Sequence, residues 1–213
     1  MIKYAATDDL HKIAKCHIAA FPKSVTSLLG EKVVASMLKW YLSATNKFLF
    51  YVEEKDLVQG YCGGFIMDGS DAYGSGSGMT QFGFNQAALA FASKPWLLLH
   101  PEVRKKYPFI LTNVARKLGF KKDQPMAVSK HMTKDEPLTA GLVVIGVIPN
   151  LQQKGLGTLL QQEFERKAIE MGALQLQLSV RIDNTKAIKS YQRNGYVIEK
   201  EVAPSYVMIK KLN

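Results

Sequence analysis

Leu138 to Ile148 reads LTAGLVVIGVI, an almost unbroken apolar run closed by Pro149. A short run rich in Val and Ile that stops at a proline has the pattern of a central strand covered on both faces. It is far shorter than the roughly 18 apolar residues of a membrane-spanning helix, so its cover must come from the chain's own helices. The residues that follow supply them. Gly155 to Met171 has helical periodicity, with Leu156, Leu159, Leu160, Phe164 and Ala168 on one side. Leu174 to Val180 (LQLQLSV) alternates strictly and reads as a strand. Asn184 to Asn194 is helical and ends at Gly195, and Tyr196 to Val202 and Ser205 to Lys210 are two further strands. This order of strand, helix, strand, helix, strand, strand defines an α/β chain.

The front part is compatible with the same class. Asp8 is placed to cap a helix in which Leu10, Ile13, Ala14, His17, Ile18 and Phe21 recur until Pro22. Val33, Val34, Met37, Leu38 and Tyr41 form the stripe of a second amphipathic helix. Lys47 to Val52 and Val58 to Met67 pair as a hairpin across the turn at Glu53 to Leu57. Asp68 to Gly78 (DGSDAYGSGSG) has the composition of a flexible connector. Beyond it, Asn85 is placed to cap a helix over Gln86 to Ala92, Pro95 to open a short one through Leu99, and Gly119 to end one over Phe109 to Leu118. Lys121 to Glu136 is polar and irregular.

At 47% hydrophobic and 22% charged, the 213 residues have the composition of an ordinary globular chain. The N-terminus, MIKYAATDDLHK, carries aspartates where a signal peptide needs apolar residues, which predicts a cytoplasmic protein without membrane insertion. Cys16 and Cys62 stand apart, without the paired spacing of a zinc or redox site, so they read as reduced core residues and no metal is expected. Net charge is +10, and the stretch from Lys94 to Lys134, with ten basic and two acidic residues, holds +8 of it. As a charge run alone this is a solvated face, and it attracts anions of any kind. It contains no helix-turn-helix, zinc-finger or RNP signature, so nucleic acid is not the expected partner.

Two motifs carry chemistry. Pro149-Asn150-Leu151-Gln152-Gln153-Lys154-Gly155-Leu156-Gly157 places Q-x-x-G-x-G between the apolar strand and the helix that follows. A glycine-bearing turn opening a helix lets a pyrophosphate approach unpaired N–H groups and the positive end of the helix dipole. Lys154 adds a cation. The spacing is neither the Walker pattern nor the dinucleotide fingerprint. Further on, Asn184, Ala187 and Tyr191 fall three and four apart and share one helix face, which aims an amide and a phenol into a common cleft.

Together, the apolar strand, the Q-x-x-G-x-G loop and the Asn, Ala, Tyr helix ending in Gly195-Tyr196 resemble the GNAT acetyltransferases over Pro137 to Leu212. The front resembles the family more loosely, and about 68–136 matches nothing general in it. The resemblance implies a central mixed β-sheet flanked by helices, with a helical insertion between the third and fourth strands. The chain 1–213 would then be one acetyltransferase domain whose insertion, about 68–136, shapes the acceptor site. The resemblance also implies acetyl-CoA as co-substrate, with backbone groups near Ile145 and Val147 facing its pantetheine arm. Gln152, Lys154, Gly155, Leu156, Gly157 and Thr158 would surround its pyrophosphate, Asn184 would hold it by the side chain, and Tyr191 would lie near the thioester sulfur as general acid.

One departure stands out. Many family members carry a glutamate near the start of the apolar strand, where this chain has Gly141. His131, Glu136 and Ser179 are the remaining candidates for a base, and each reads more readily as surface or structural. The expected function is an N-acetyltransferase acting by direct attack of a primary amine. The basic insertion favours a small anionic acceptor such as a nucleotide-linked amino sugar. A peptide or protein acceptor, and a non-catalytic acyl-CoA-binding domain, are the alternatives. Acetyl and longer acyl donors are not distinguished, nor is the oligomeric state.

Overall fold

In the computed structural model, which describes residues 1–67, 74–119 and 137–212, seven strands share one sheet. In chain order they are β1 (Ile2–Tyr4), β2 (Lys47–Glu54), β3 (Leu57–Met67), β4 (Thr139–Val147), β5 (Gln175–Arg181), β6 (Val197–Val202) and β7 (Ser205–Lys211). They lie across the sheet as β1-β2-β3-β4-β5-β7-β6, and every neighbouring pair is antiparallel except β4 with β5. The sheet is therefore mixed, and β4 sits at its centre as its apolar composition requires.

Each face has its own core. On one, α1 (Leu10–Ala20) and α3 (Glu31–Leu38) bury Leu10, Ile13, Val34 and Leu38 against Leu49, Tyr61 and Phe65, with the short α2 (Val25–Leu29) between the two helices. On the other, α7 (Leu156–Glu170) sets Leu160, Phe164 and Ala168, all fully buried, against Cys62, Leu142 and Leu176, while α8 (Thr185–Arg193) adds Tyr191. Burial of a side chain such as Phe164 contributes about 1.5–3 kcal/mol. The ring reaches the sheet because β3 carries glycine beneath it: a Cβ on Gly64 would stand 2.4 Å from Phe164 Cε2. Leu159, read from the sequence as part of this apolar side, is instead exposed, since the buried row runs every fourth residue through 156, 160, 164 and 168.

Between β3 and β4 the chain forms α4 (Gly74–Ser93), a 3-10 turn at Pro95–Leu99, α5 (Pro101–Arg104) and α6 (Tyr107–Lys117). This insertion rests on the helical layer, where Leu97, Ala87, Ala90 and Phe91 pack with Leu29, Val33 and Met37. Two expectations fail here. Gly74 to Gly78 belongs to α4 rather than to a connector, and Asn85 lies exposed inside that helix rather than at its start. Two glycines of this helix serve contact: a Cβ on Gly78 would come within 2.5 Å of Trp40 Nε1, and one on Gly83 within 2.4 Å of Met37 Cγ. The rest of the expected connector, the Lys121 to Glu136 stretch, and His131 and Glu136 within it, lie outside the described residues.

Candidate active site

The site begins where the parallel pair comes apart. β4 and β5 are in register from Thr139↔Gln175 to Leu142↔Leu178, and beyond that point the last five residues of β4, Val143–Val147, have no partner on β5. The break coincides with a bulge. Gly63 pairs with Val144 and Gly64 with Leu142, so Val143 is the extra residue. Val143 and Val144 consequently both pack toward the α1/α3 core, while Ile145 and Val147 turn back to the α7 side. A central strand thus exposes an unpaired edge inside the molecule.

The loop leaving β4 brings the N-terminus of α7 to this edge. A 3-10 turn at Pro149–Leu151 is followed by two residues at positive φ, Gln153 at 62° and Gly155 at 84°. Gly155 occupies the N-cap position and supplies no side-chain cap, so the N–H groups of the first turn of α7 gain no side-chain partner there. A Cβ added to Gly155 or Gly157 would meet nothing within 4 Å. This is an open cradle at the positive end of a 15-residue helix. Lys154 is exposed beside it and Thr158 lies partly buried one residue past Gly157. Gln152 is also exposed, and its Nε2 donates to the carbonyl of Val147 at 3.1 Å.

α8 closes the far side. Asn184 caps it, accepting from the Ala187 N–H at 3.3 Å, and is otherwise exposed. Tyr191 is buried edge-on against Tyr196, with ring centroids 5.7 Å apart. Burial, and secondarily the neighbouring Cys62, holds the Tyr191 phenol well above the ordinary tyrosine range, so it stays protonated at neutral pH. Sequence reasoning missed Gln161, which is buried between α7 and α8. Its Nε2 donates to Ser190 Oγ at 3.3 Å, while its Oε1 has no partner among the described residues. The only signal in the sequence is that it lies four residues past Gly157, on the same flank of α7.

The place of the usual glutamate is filled by apolar side chains. A Cβ on Gly141 would stand 2.6 Å from Met67 Cε and 3.0 Å from Phe65 Cε1. Ser179 is exposed on β5. His17, in α1, has both ring nitrogens engaged, Nδ1 with the Tyr61 hydroxyl at 2.5 Å and Nε2 with Thr26 Oγ1 at 3.0 Å. Burial lowers its pKa to about 4. It is a neutral brace between α1, α2 and β3. Among the described residues no group of three or more His, Cys, Asp or Glu side chains could hold a metal ion, and no helix is long and apolar enough to cross a membrane.

Residues 118–196 match the family model described as the acetyltransferase (GNAT) family. That stretch contains the strand, the glycine loop and α8. Over those residues the chain has a GNAT acetyltransferase domain, and the members of that family are acyltransferases that use acetyl-CoA. The fold is similar to that of a PaiA N-acetyltransferase from Thermoplasma acidophilum solved with coenzyme A, at 12% identity and TM-score 0.57, covering 100% of this chain and 98% of that one. It is also similar to Chaetomium thermophilum Naa20 in complex with a bisubstrate analogue, at 18% identity and TM-score 0.54, covering 100% and 86%. An aminoglycoside 6'-N-acetyltransferase from Acinetobacter haemolyticus gives 11% identity and TM-score 0.56, covering 95% and 94%. No curated protein sequence matches the chain.

Proposed function

We propose that the chain, acting as a single domain in the cytoplasm, transfers the acetyl group of acetyl-CoA to the primary amine of a small anionic acceptor, such as a nucleotide-linked amino sugar. The observation that carries this reading is the unpaired edge of β4 beside the open N-terminus of α7. An extended chain ending in phosphates fits both: the edge offers backbone groups in the manner of strand addition, and the helix terminus offers N–H groups to an anion. Gln152, Lys154, Gly155, Leu156, Gly157 and Thr158 then surround the pyrophosphate, Ile145 and Val147 face the pantetheine arm, and Asn184, at the cap of α8, holds the cofactor by its side chain.

In the reaction the neutral amine nitrogen attacks the thioester carbonyl carbon. A backbone N–H at the Val143 bulge stabilises the oxygen as it gains charge, the C–S bond breaks, and the thiolate leaves. Tyr191 donates a hydrogen bond or a proton to that sulfur. Because its phenol is a weaker acid than free tyrosine, stabilising the charge matters more than completing the transfer. The nitrogen loses its proton to water, since no carboxylate stands at Gly141.

The acceptor preference rests on the insertion. Lys94, Arg104, Lys105, Lys106, Arg116 and Lys117 lie within or beside its helices. Thiol release from acetyl-CoA, measured over a panel of amines with and without phosphate, tests this. Turnover confined to the phosphate-bearing amines is expected. Preference for peptide amines would overturn the acceptor class, and no release with any amine would overturn catalysis.

A further inference from the structure

Gln161 is 5% exposed, and one end of its amide has no partner among the described residues. A buried polar atom left unpaired destabilises the fold, so such an atom calls for an explanation. Packing does not give one: Leu160, Phe164 and Ala168 hold α7 to the sheet, and Gln161 points aside to Ser190. Its position is informative. One turn toward the start of α7 lies Gly157, whose absent side chain leaves open space, and across the gap Ser190 is followed directly by Tyr191. Gln161 therefore sits one turn from the glycine cradle on α7 and against the α8 residue that precedes Tyr191.

We propose that Gln161 is a cofactor-binding residue whose unpaired amide end hydrogen-bonds a pantetheine amide of acetyl-CoA, with Ser190 holding the other end in place. This rests on the acetyl-CoA reading above. Pantetheine suits the site chemically, because each of its secondary amides presents an N–H and a C=O, and either satisfies a primary amide side chain. The bond makes the site sensitive to the arm that joins the phosphates to the thioester, independently of the phosphates themselves.

Calorimetric titration of the full chain with acetyl-CoA and with adenosine 3′,5′-bisphosphate, which lacks the arm, separates these contributions. In Gln161→Leu, and in Gln161→Met, which keeps the unbranched shape, acetyl-CoA affinity should fall about three- to tenfold. Bisphosphate affinity should hold, and the ligand-free Tm should stay level or rise because the orphaned atom is gone. Unchanged acetyl-CoA affinity in a folded variant overturns the proposal, as does an equal loss for both ligands. If the wild-type chain binds neither ligand, the acetyl-CoA reading itself fails.

Discussion

Gln152 donates its side-chain amide to the carbonyl of Val147, tying the glycine loop to the last residue of β4. The contact makes Gln152 a brace between loop and strand, in addition to its proposed place beside the phosphates. It also fixes the carbonyl of a residue that faces the proposed pantetheine arm. Gln152→Ala should weaken acetyl-CoA binding about three- to tenfold through loss of this one hydrogen bond. Gln152→Glu, which has no donor at that position, should do no better. Wild-type affinity in Gln152→Ala would reduce the contact to surface decoration.

Gly155 and Gly157 should respond differently to the same substitution. At Gly157 a side chain meets nothing in the protein, so Gly157→Val should keep the fold while its branched carbon fills the phosphate cradle and lowers acetyl-CoA affinity at least tenfold. At Gly155, φ is 84°, so valine adds backbone strain of about 1–3 kcal/mol and should depress Tm as well. Paired thermal melts and titrations check both, and normal binding by Gly157→Val would contradict the cradle.

Tyr191→Phe removes only the hydroxyl and leaves the edge-on packing with Tyr196 intact. An interaction made mainly with the leaving sulfur affects kcat rather than cofactor affinity. General-acid removal costs about a hundred- to ten-thousand-fold, and here the fall should lie at or below the low end, because the raised pKa makes the phenol a reluctant proton donor. Pre-steady-state measurement of the chemical step is the check. A rate within about twofold of wild type would return Tyr191 to a packing role.

The back of the molecule was legible because its signals are local. The apolar run of β4, the glycine turn and the row Leu156, Leu160, Phe164 and Ala168 each report burial or backbone shape within a few residues. The splitting of β4 from β5 is a tertiary event with no local mark beyond the resemblance. Gly74 to Gly78 misled for a physical reason: glycine-rich sequence signals flexibility only when nothing packs against it, and Trp40 and Met37 are distant in sequence from Gly78 and Gly83. β1, three residues long, is too short for alternation to show. Gln161 carries no local mark in the sequence, because its partner Ser190 lies 29 residues further along the chain.

His17 predicts an acid sensitivity. Its folded pKa of about 4 lies below the ordinary histidine value of 6.5, so the unfolded chain binds more protons between those values. The stability contributed by neutral His17 is fully present above about pH 6.5 and is lost progressively as pH falls toward 4. His17→Gln, which keeps hydrogen-bonding capacity without titrating, should flatten the dependence of Tm on pH in that window. Identical profiles for the two proteins would show that burial does not hold the His17 ring neutral.

The central claim is that the open edge of β4 and the N-terminus of α7 together form an acetyl-CoA site, and thermal melting tests it most directly. A ligand that binds only the folded chain stabilises it by mass action, about 2.7 kcal/mol when present at 100 times its Kd. Acetyl-CoA should raise Tm progressively, with the logarithm of its concentration once that exceeds Kd. ATP, which carries phosphates without the pantetheine arm, should give a much smaller shift. Equal stabilisation by ATP and acetyl-CoA, or none by acetyl-CoA, would contradict the account.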